Sequence, residues 1–173
     1  MAAARRVEIV GAGPAGLAAG ITLARRGFRA VVWEREKAVG ARFHGDFQAI
    51  ENWTLEKDAL EELSEIGIEG SFCRAVVREA VFFDRRGTPR VVRSERPAFY
   101  LVRRGPEPDT LDRVLERQAL EAGVEIRYGR ACPEPPDPAI VASGPRRSDA
   151  VDVGYVFETD HADGVWAVFS DRL

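Results

Sequence analysis

Three glycines near the amino terminus have the spacing of a phosphate-binding loop. Gly11, Gly13 and Gly16 form a GxGxxG motif directly after an apolar stretch at residues 7–10. In such a loop the first glycine permits a tight turn, the second lets the backbone approach a pyrophosphate, and the third allows close packing of helix and strand. The helix that follows directs unpaired N–H groups and its positive dipole end towards the phosphates. The residues between the glycines are Ala12, Pro14 and Ala15.

An acidic residue follows at the distance that a dinucleotide-binding unit requires. Apolar residues with helical spacing continue from the loop to Gly27, and residues 28–33 have the pattern of a second buried strand that ends at Glu34. A carboxylate at this position accepts hydrogen bonds from ribose hydroxyls and repels a 2′-phosphate, which disfavours NADP as the ligand of this motif. Strand, turn, helix, strand and acid occur in order within about 30 residues, so the pattern favours dinucleotide binding over a purely structural turn.

Composition and charge argue against several classes of function. The 173 residues carry a formal net charge of −3, which argues against nucleic acid as the main partner. No apolar run approaches the length of about 18 residues that a membrane span needs, so no transmembrane segment is predicted. The two cysteines, Cys73 and Cys132, lack the spacing of a metal site, and a reduced, cytoplasmic setting is the simplest account of them.

The segment after Glu34 is polar and punctuated by glycines, and long loops of this kind are often functional. Within it, Arg42 is either a charge-assisted donor to phosphates or a solvated surface residue. His44 is either a proton donor beside a cofactor or a hydrogen-bonded loop residue. Beyond this loop, Thr54 is expected to cap a helix that ends at Gly67.

The rest of the chain combines patterns of antiparallel and parallel strands. A hairpin formed by residues 76–83 and 91–93 is expected to begin a second sheet. Asp109 or Thr110 caps a helix that Gly123 ends, and the strand after it returns the chain to the first, parallel sheet. Further strands are predicted at residues 99–102, 124–128, 139–145 with its glycine turn, 153–158 and 165–169.

These segments resemble a known group of flavoproteins. Residues 7–34 resemble the ADP-binding unit of FAD-dependent oxidoreductases of the glutathione-reductase fold. The larger pattern, over most of residues 7–157, resembles the N-terminal portion of the geranylgeranyl-reductase-like group within the p-hydroxybenzoate-hydroxylase-type flavoproteins. The segments that carry the resemblance are residues 11–16, 34–35, 39–46, 100–104, 111–112 and 141–145. The first segment is specific to dinucleotide binding. Each of the others is weak evidence by itself, and they support the resemblance because they occur in the same order.

The resemblance implies an α/β fold in two parts. A Rossmann-like FAD-binding domain of the glutathione-reductase type, with a parallel sheet, would comprise residues 1–72 and 101–148. Part of an antiparallel β substrate domain would comprise residues 73–100 and 149–173. FAD is the implied cofactor. The residues that the motifs and the resemblance together assign to it are Gly11, Ala12, Gly13, Pro14, Ala15, Gly16, Glu34, Arg35, Arg42, Arg104, Cys132 and Gly144.

The resemblance also implies hydride transfer through the flavin, usually from NAD(P)H and often to an isoprenoid alkene. Three departures from the group's pattern bear on this activity. Gly40-Ala41 replaces a Gly-Gly pair, His44-Gly45 replaces Cys-Gly, and the later Gly-Asp motif has no counterpart in the sequence. The alternative is therefore a non-catalytic FAD- or dinucleotide-binding fragment or subunit that a partner chain completes.

The second sheet is incomplete in this sequence, which predicts exposed strand edges and hence a homodimer or a partner chain. A third interpretation is an NAD-dependent dehydrogenase of the ordinary doubly wound type. The predicted hairpin disfavours this class of enzyme, because such a fold would continue with alternating helices and parallel strands.

Overall fold

A computed structural model of the chain describes residues 4–54, 56–132, 134, 138–144, 155, 158–161 and 164–168. Within these ranges the strands form a four-stranded parallel sheet and two three-stranded sheets. The helices are α1 (Pro14–Arg25), α2 (Ala59–Glu65) and α3 (Leu111–Glu121). The strands are β1 (Arg6–Val10), β2 (Arg29–Trp33), β3 (Phe47–Glu51), β4 (Arg74–Val77), β5 (Glu79–Phe83), β6 (Pro89–Arg93), β7 (Phe99–Arg103), β8 (Glu125–Arg127), β9 (Ala139–Val141) and β10 (Trp166–Val168).

The four-stranded sheet is parallel throughout and has the order β8-β2-β1-β9. β1 lies between β2 and β9, so Ile9 pairs with Val32 on one side and with Ile140 on the other. β-Branched residues suit such strands because they pack well on a pleated surface, and Ile9 and Val32 are fully buried. α1 contacts β1, β2 and α3, and it contributes the buried Leu17 and Ile21 to the core. This arrangement confirms the predicted Rossmann-like α/β fold.

The local sequence sets the ends of α1 and α3. α1 begins after Gly13, with Pro14 in its first turn, where the missing N–H of proline has no helical partner. Gly27 follows the end of α1 with a φ of +80°, a conformation that glycine adopts at little cost. Thr110 caps α3 by accepting a hydrogen bond from the N–H of Arg113, which resolves the two predicted caps in favour of Thr110.

α2 begins later in the chain than its sequence predicts. Asp58, and not Thr54, caps this helix, because Oδ1 of Asp58 accepts a hydrogen bond from the N–H of Leu60 at 2.9 Å. The fully buried Asn52 supports the same end by accepting a hydrogen bond from the N–H of Ala59 at 2.6 Å. The prediction of Thr54 as the cap was therefore wrong.

Asp58 also joins α2 to the sheet that contains β7. Its Oδ2 accepts hydrogen bonds from the hydroxyl of Tyr100 at 2.7 Å and from Nδ2 of Asn52 at 3.1 Å. Burial raises the pKa of Asp58, but the hydrogen bonds that it accepts, led by that from Tyr100, outweigh burial and hold its pKa below the ordinary value of 3.8. The charged form of Asp58 thus stabilises the start of α2.

The second sheet has the order β3-β7-β4 and is antiparallel. β3 was not predicted from the sequence, yet it pairs with β7 over its whole length. The predicted strand at residues 76–83 divides at Arg78, because β4 pairs with β7 whereas β5 pairs with β6. The prediction of a continuous strand there was wrong, since the chain passes from one sheet to another at this point.

The third sheet has the order β10-β5-β6 and contains the predicted hairpin. Its turn is held by Asp84, whose Oδ1 accepts hydrogen bonds from the N–H groups of Arg86 and Thr88 at 2.8 and 3.0 Å. β10 adds to β5 in parallel, whereas most of the predicted strand at residues 153–158 lies outside the described residues. The division into two domains stays a prediction; the sheet β3-β7-β4 contains strands from both parts. In the described portion of the chain, no helix is both long and apolar enough to cross a membrane.

Candidate functional site

Two glycines of the GxGxxG motif are required by the protein's own packing. Gly11 has a φ of +101°, and a Cβ added to it would lie 2.5 Å from the carbonyl oxygen of Ala142, which follows β9. A Cβ on Gly16 would lie 1.9 Å from the carbonyl oxygen of Gly11. Neither position has room for a side chain, so these glycines bring α1, β1 and the end of β9 into close contact.

Gly13 differs from its two neighbours in the motif. Its φ of −73° is open to any residue, and a Cβ added to it would meet no described atom within 4 Å. It is the N-cap of α1, and it offers no side chain to the N–H groups of the first turn. The conformation and packing of the protein therefore do not account for glycine here, whereas the close approach of a ligand to the helix N-terminus would account for it.

The space in front of Gly13 belongs to a cleft of about 680 Å³. The cleft runs between the glycine-rich loop, the segments that follow β2 and β9, and the sheet β3-β7-β4. Of the residues predicted to hold the cofactor, ten line it, namely Gly11, Gly13, Pro14, Ala15, Glu34, Arg35, Arg42, Arg104, Cys132 and Gly144. The other two, Ala12 and Gly16, are buried behind the lining. The structure thus brings the predicted residues together around one open cleft.

Glu34 has its carboxylate fixed by two backbone groups. Its Oε2 accepts a hydrogen bond from the N–H of Ala12 at 2.8 Å, and its Oε1 accepts one from the N–H of Glu36 at 3.0 Å. The N–H of Arg130 donates to the carbonyl oxygen of Glu34 at 3.0 Å, which holds the segment leading to Cys132 beside it. Because each carboxylate oxygen has two lone pairs, acceptor capacity remains for the hydroxyls of a ligand.

Arg42 and Arg104 approach the same aromatic ring but differ in exposure. Their guanidinium carbons lie 4.7 and 4.2 Å from the centre of the Phe43 ring, which is a cation–π distance. Arg42 is exposed, and among the described residues it forms no ion pair. Arg104 is 5% exposed and is bound to Asp112 by two hydrogen bonds of 2.8 Å. Arg42 is therefore a cation available at the cleft surface, whereas the charge of Arg104 is balanced inside the protein.

Asp112 was not predicted as a site residue, although it lines the cleft and is 1% exposed. It also accepts a hydrogen bond from the N–H of Gly105 at 3.1 Å, so one carboxylate fixes both Arg104 and the backbone after β7. A Cβ on Gly40 would lie 2.4 Å from the carbonyl oxygen of Gly105, which shows how closely the loop after β2 packs on this segment. The loop that carries Arg42 is thereby held against the start of α3.

Sequence reasoning also missed the wall that β3 provides. Gln48, Ala49 and Ile50 line the cleft, but residues 47–51 do not alternate cleanly between polar and apolar types, so no clear strand signal marked them. His44, considered as a proton donor, is exposed and does not belong to the cleft lining. Its backbone N–H donates to Oδ2 of Asp46 at 3.2 Å, as in the alternative interpretation of a hydrogen-bonded loop residue.

Comparison with known proteins places the sequence next to one family. Residues 2–94 match the model of the Thi4 family, which is more than half of the chain. A thiamine thiazole synthase from Methanococcus maripaludis (strain C6) is 44% identical over 63 residues, which are 36% of this chain and 24% of that protein. The corresponding protein from Thermotoga maritima is 41% identical over 63 residues, which are 36% of this chain and 25% of that protein. The matched segment spans about a quarter of the length of these curated relatives.

Solved structures show the same architecture at lower sequence identity. A geranylgeranyl bacteriochlorophyll reductase-like protein from Thermoplasma acidophilum has a TM-score of 0.55 and 22% identity, covering 72% of this chain and 30% of that one. A 2-methyl-3-hydroxypyridine-5-carboxylic acid oxygenase variant has a TM-score of 0.55 and 21% identity, with coverages of 73% and 32%. CtdE in complex with FAD has a TM-score of 0.51 and 23% identity, with coverages of 73% and 30%. These likenesses confirm the predicted fold.

Proposed function

Because the chain belongs to the Thi4 family and has the fold of FAD-binding oxidoreductases, we propose that it binds FAD and forms the cofactor-binding part of a flavin-dependent oxidoreductase. The observation that carries this proposal is the open space at Gly13, at the N-terminus of α1. A cleft with fixed acceptors at Glu34 and an exposed cation at Arg42 suits a ligand that combines a ribose with a diphosphate.

The proposed roles of the residues follow their positions in the cleft. The diphosphate lies against Gly13 and the first turn of α1, where the helix dipole favours negative charge. Arg42 adds a charge-assisted donor at the same place. Glu34 accepts hydrogen bonds from the ribose of the adenosine half, and the backbone at residues 131–132 borders the adenine. Arg35, which is exposed beside Glu34, contacts the same half of the ligand.

When bound, FAD supplies hydride transfer, and the protein supplies its position and electrostatic surroundings. We propose NAD(P)H as the electron donor and a lipophilic, isoprenoid-like molecule as the acceptor. The likeness to a geranylgeranyl bacteriochlorophyll reductase-like protein supports such a substrate. The proposal retains the two-part organisation, with cofactor binding by residues 1–72 and 101–148, and a cytoplasmic setting.

A second candidate function is the formation of a thiazole, because the matched relatives are named thiamine thiazole synthases. The two candidate functions differ in the reaction that the protein would carry out. An oxidoreductase of the first kind would oxidise NADH or NADPH in the presence of an artificial electron acceptor. A thiazole synthase would yield a thiazole-containing compound that mass spectrometry detects in the protein as purified or after turnover.

The non-catalytic alternative is a cofactor-binding subunit that needs a partner chain or a second copy. A chain of this kind would bind FAD but would oxidise neither NADH nor NADPH until the partner is added. Size-exclusion chromatography with light scattering then tests whether the chain forms the proposed homodimer.

The deciding experiment for cofactor binding is the absorption spectrum of the purified protein, with mass spectrometry of any released ligand. We expect flavin absorption bands and a released molecule with the mass of FAD. Titration of ligand-free protein with FAD and with ADP extends the test, and we expect both to bind, with FAD the tighter ligand. A colourless protein that takes up neither ligand would refute the proposal.

A further inference from the structure

Gln48 lies on β3, which no sequence motif marked, and its side chain lines the cleft. Its Oε1 accepts a hydrogen bond from Nη1 of Arg104. Arg104 is itself held by Asp112 through two hydrogen bonds of 2.8 Å. The buried pair of Arg104 and Asp112 thus fixes the position of the Gln48 amide at the cleft surface.

The same contact determines which way the Gln48 amide points. A guanidinium has only N–H donors, so Arg104 must meet the oxygen of the amide and cannot meet its nitrogen. The Nε2 group is therefore directed away from that contact. Within the described ranges of the chain it has no hydrogen-bond partner, and the Gln48 residue is exposed. Two N–H donors thus remain unused in the wall of the cleft.

A series of contacts leads from the glycine-rich loop to Gln48. Gly144 follows β9 near that loop, and a Cβ added to it would lie 3.9 Å from Nη1 of Arg42. Arg42 and Arg104 both contact the ring of Phe43. Arg104 then holds Gln48, which is at the far end of this series. Because Glu34 is proposed to bind the adenosine half of the ligand, we expect the other half to lie at the end of the cleft that Gln48 lines.

We propose that Gln48 orients the bound dinucleotide by donating an Nε2–H hydrogen bond to its non-adenosine half. The acceptor would be a carbonyl oxygen or an unprotonated ring nitrogen of the flavin ring, which FAD carries and ADP lacks. This inference rests on the proposed function, since it concerns the same cleft. Arg104 and Asp112 are positioning residues in this scheme, because they act on the ligand through Gln48.

Two substitutions remove the donor in different ways. Gln48→Glu keeps an oxygen for Arg104 but has no N–H donor at neutral pH, whereas Gln48→Met keeps a side chain of similar length without a charge. Ligand-free protein of each variant is titrated with FAD and with ADP, and its thermal unfolding is recorded. We expect both variants to bind ADP within about twofold of the wild-type protein and FAD about tenfold more weakly, as the loss of one hydrogen bond implies.

The two ligands and the two variants separate the possible results. FAD affinity within about twofold of wild type in both variants would overturn the role of Gln48. An equal loss of ADP and FAD affinity would also overturn it, because Gln48 would then shape the cleft as a whole. A loss confined to Gln48→Glu would assign the effect to the added charge and overturn the donor role. Wild-type protein that binds neither ligand would instead overturn the proposed function, and this inference with it.

Discussion

Substitution of Gly13 by aspartate is expected to stabilise the ligand-free protein and to weaken ligand binding strongly. Gly13 is the N-cap of α1 with an extended backbone, and an added Cβ meets no described atom within 4 Å. Aspartate is a better N-cap than glycine by a few tenths of a kcal/mol, about 0.3. Its charge near the helix N-terminus adds about 0.3–1 kcal/mol, and replacing glycine restricts the unfolded chain by a further ~0.4–1 kcal/mol.

The expected stabilisation is about 1–2 kcal/mol, which for a chain of this size raises Tm by about 2–8 °C. The expected effect on ligand affinity is unfavourable. Two like charges 4 Å apart near a protein surface repel by about 4 kcal/mol, so a carboxylate against a diphosphate weakens binding by roughly a thousandfold. Differential scanning fluorimetry of ligand-free protein and titration with FAD and ADP measure the two effects separately.

Three further variants serve as controls for Gly13→Asp. Gly13→Asn adds similar bulk without charge, and it separates steric exclusion from repulsion. Gly27→Ala also meets open space, but its φ of +80° makes it destabilising by roughly 1–2 kcal/mol, with ligand binding unchanged. Gly16→Ala is expected to lower Tm strongly, because its Cβ would overlap the carbonyl oxygen of Gly11. If Gly13→Asp folded and bound FAD within tenfold of wild type, the diphosphate would not lie at Gly13.

Three other predictions concern residues around the cleft. Asp112→Ala leaves the buried Arg104 without its counter-ion and should lower the free energy of unfolding, measured by urea denaturation, by about 3–5 kcal/mol. Adding Arg104→Met to this variant should recover part of that stability. A decrease under about 1 kcal/mol would contradict the pairing. Asp58→Asn should lower the free energy of unfolding at pH 7 by about 1 kcal/mol. Because the pKa of Asp58 is lower in the folded than in the unfolded protein, its stabilisation is present above the unfolded pKa and is lost as pH falls through the folded pKa. A difference in the free energy of unfolding between wild type and Asp58→Asn that did not change with pH would contradict this account. Wild-type protein should bind ADP about tenfold more tightly than 2′-deoxy-ADP, and Glu34→Gln should reduce this ratio of affinities. An unchanged ratio would show that Glu34 does not bind the ribose.

Features that depend on neighbouring residues could be predicted from the sequence. The GxGxxG motif, the strand before it and the acid at the end of the next strand lie within one continuous segment, and the structure assembles them around one cleft. Gly27 was expected to end α1 because a positive φ is a local property of the backbone. The parallel placement of β8 also followed from the order of helix and strand.

Features that depend on distant partners could not be predicted in this way. α2 begins at Asp58 because Asn52 and Tyr100, the latter 42 residues away, bind the same carboxylate. The chain changes sheets at Arg78 because β7 offers a partner to β4 but not to β5. Residues 47–51 look like a loop in sequence, and their pairing with β7 makes them a strand.

The site shows the same division. The sequence by itself determined that a glycine-rich turn, a helix N-terminus and Glu34 form one unit, because short-range spacing and backbone conformation suffice for that. It named Arg42 and Arg104 alike, and only the tertiary structure distinguished them. Asp112 lies eight residues further along the chain and forms a buried ion pair with Arg104, which neutralises its charge and leaves Nη1 to donate to Gln48. Such pairing is set by packing, which brings together side chains whose separation in sequence carries no signal.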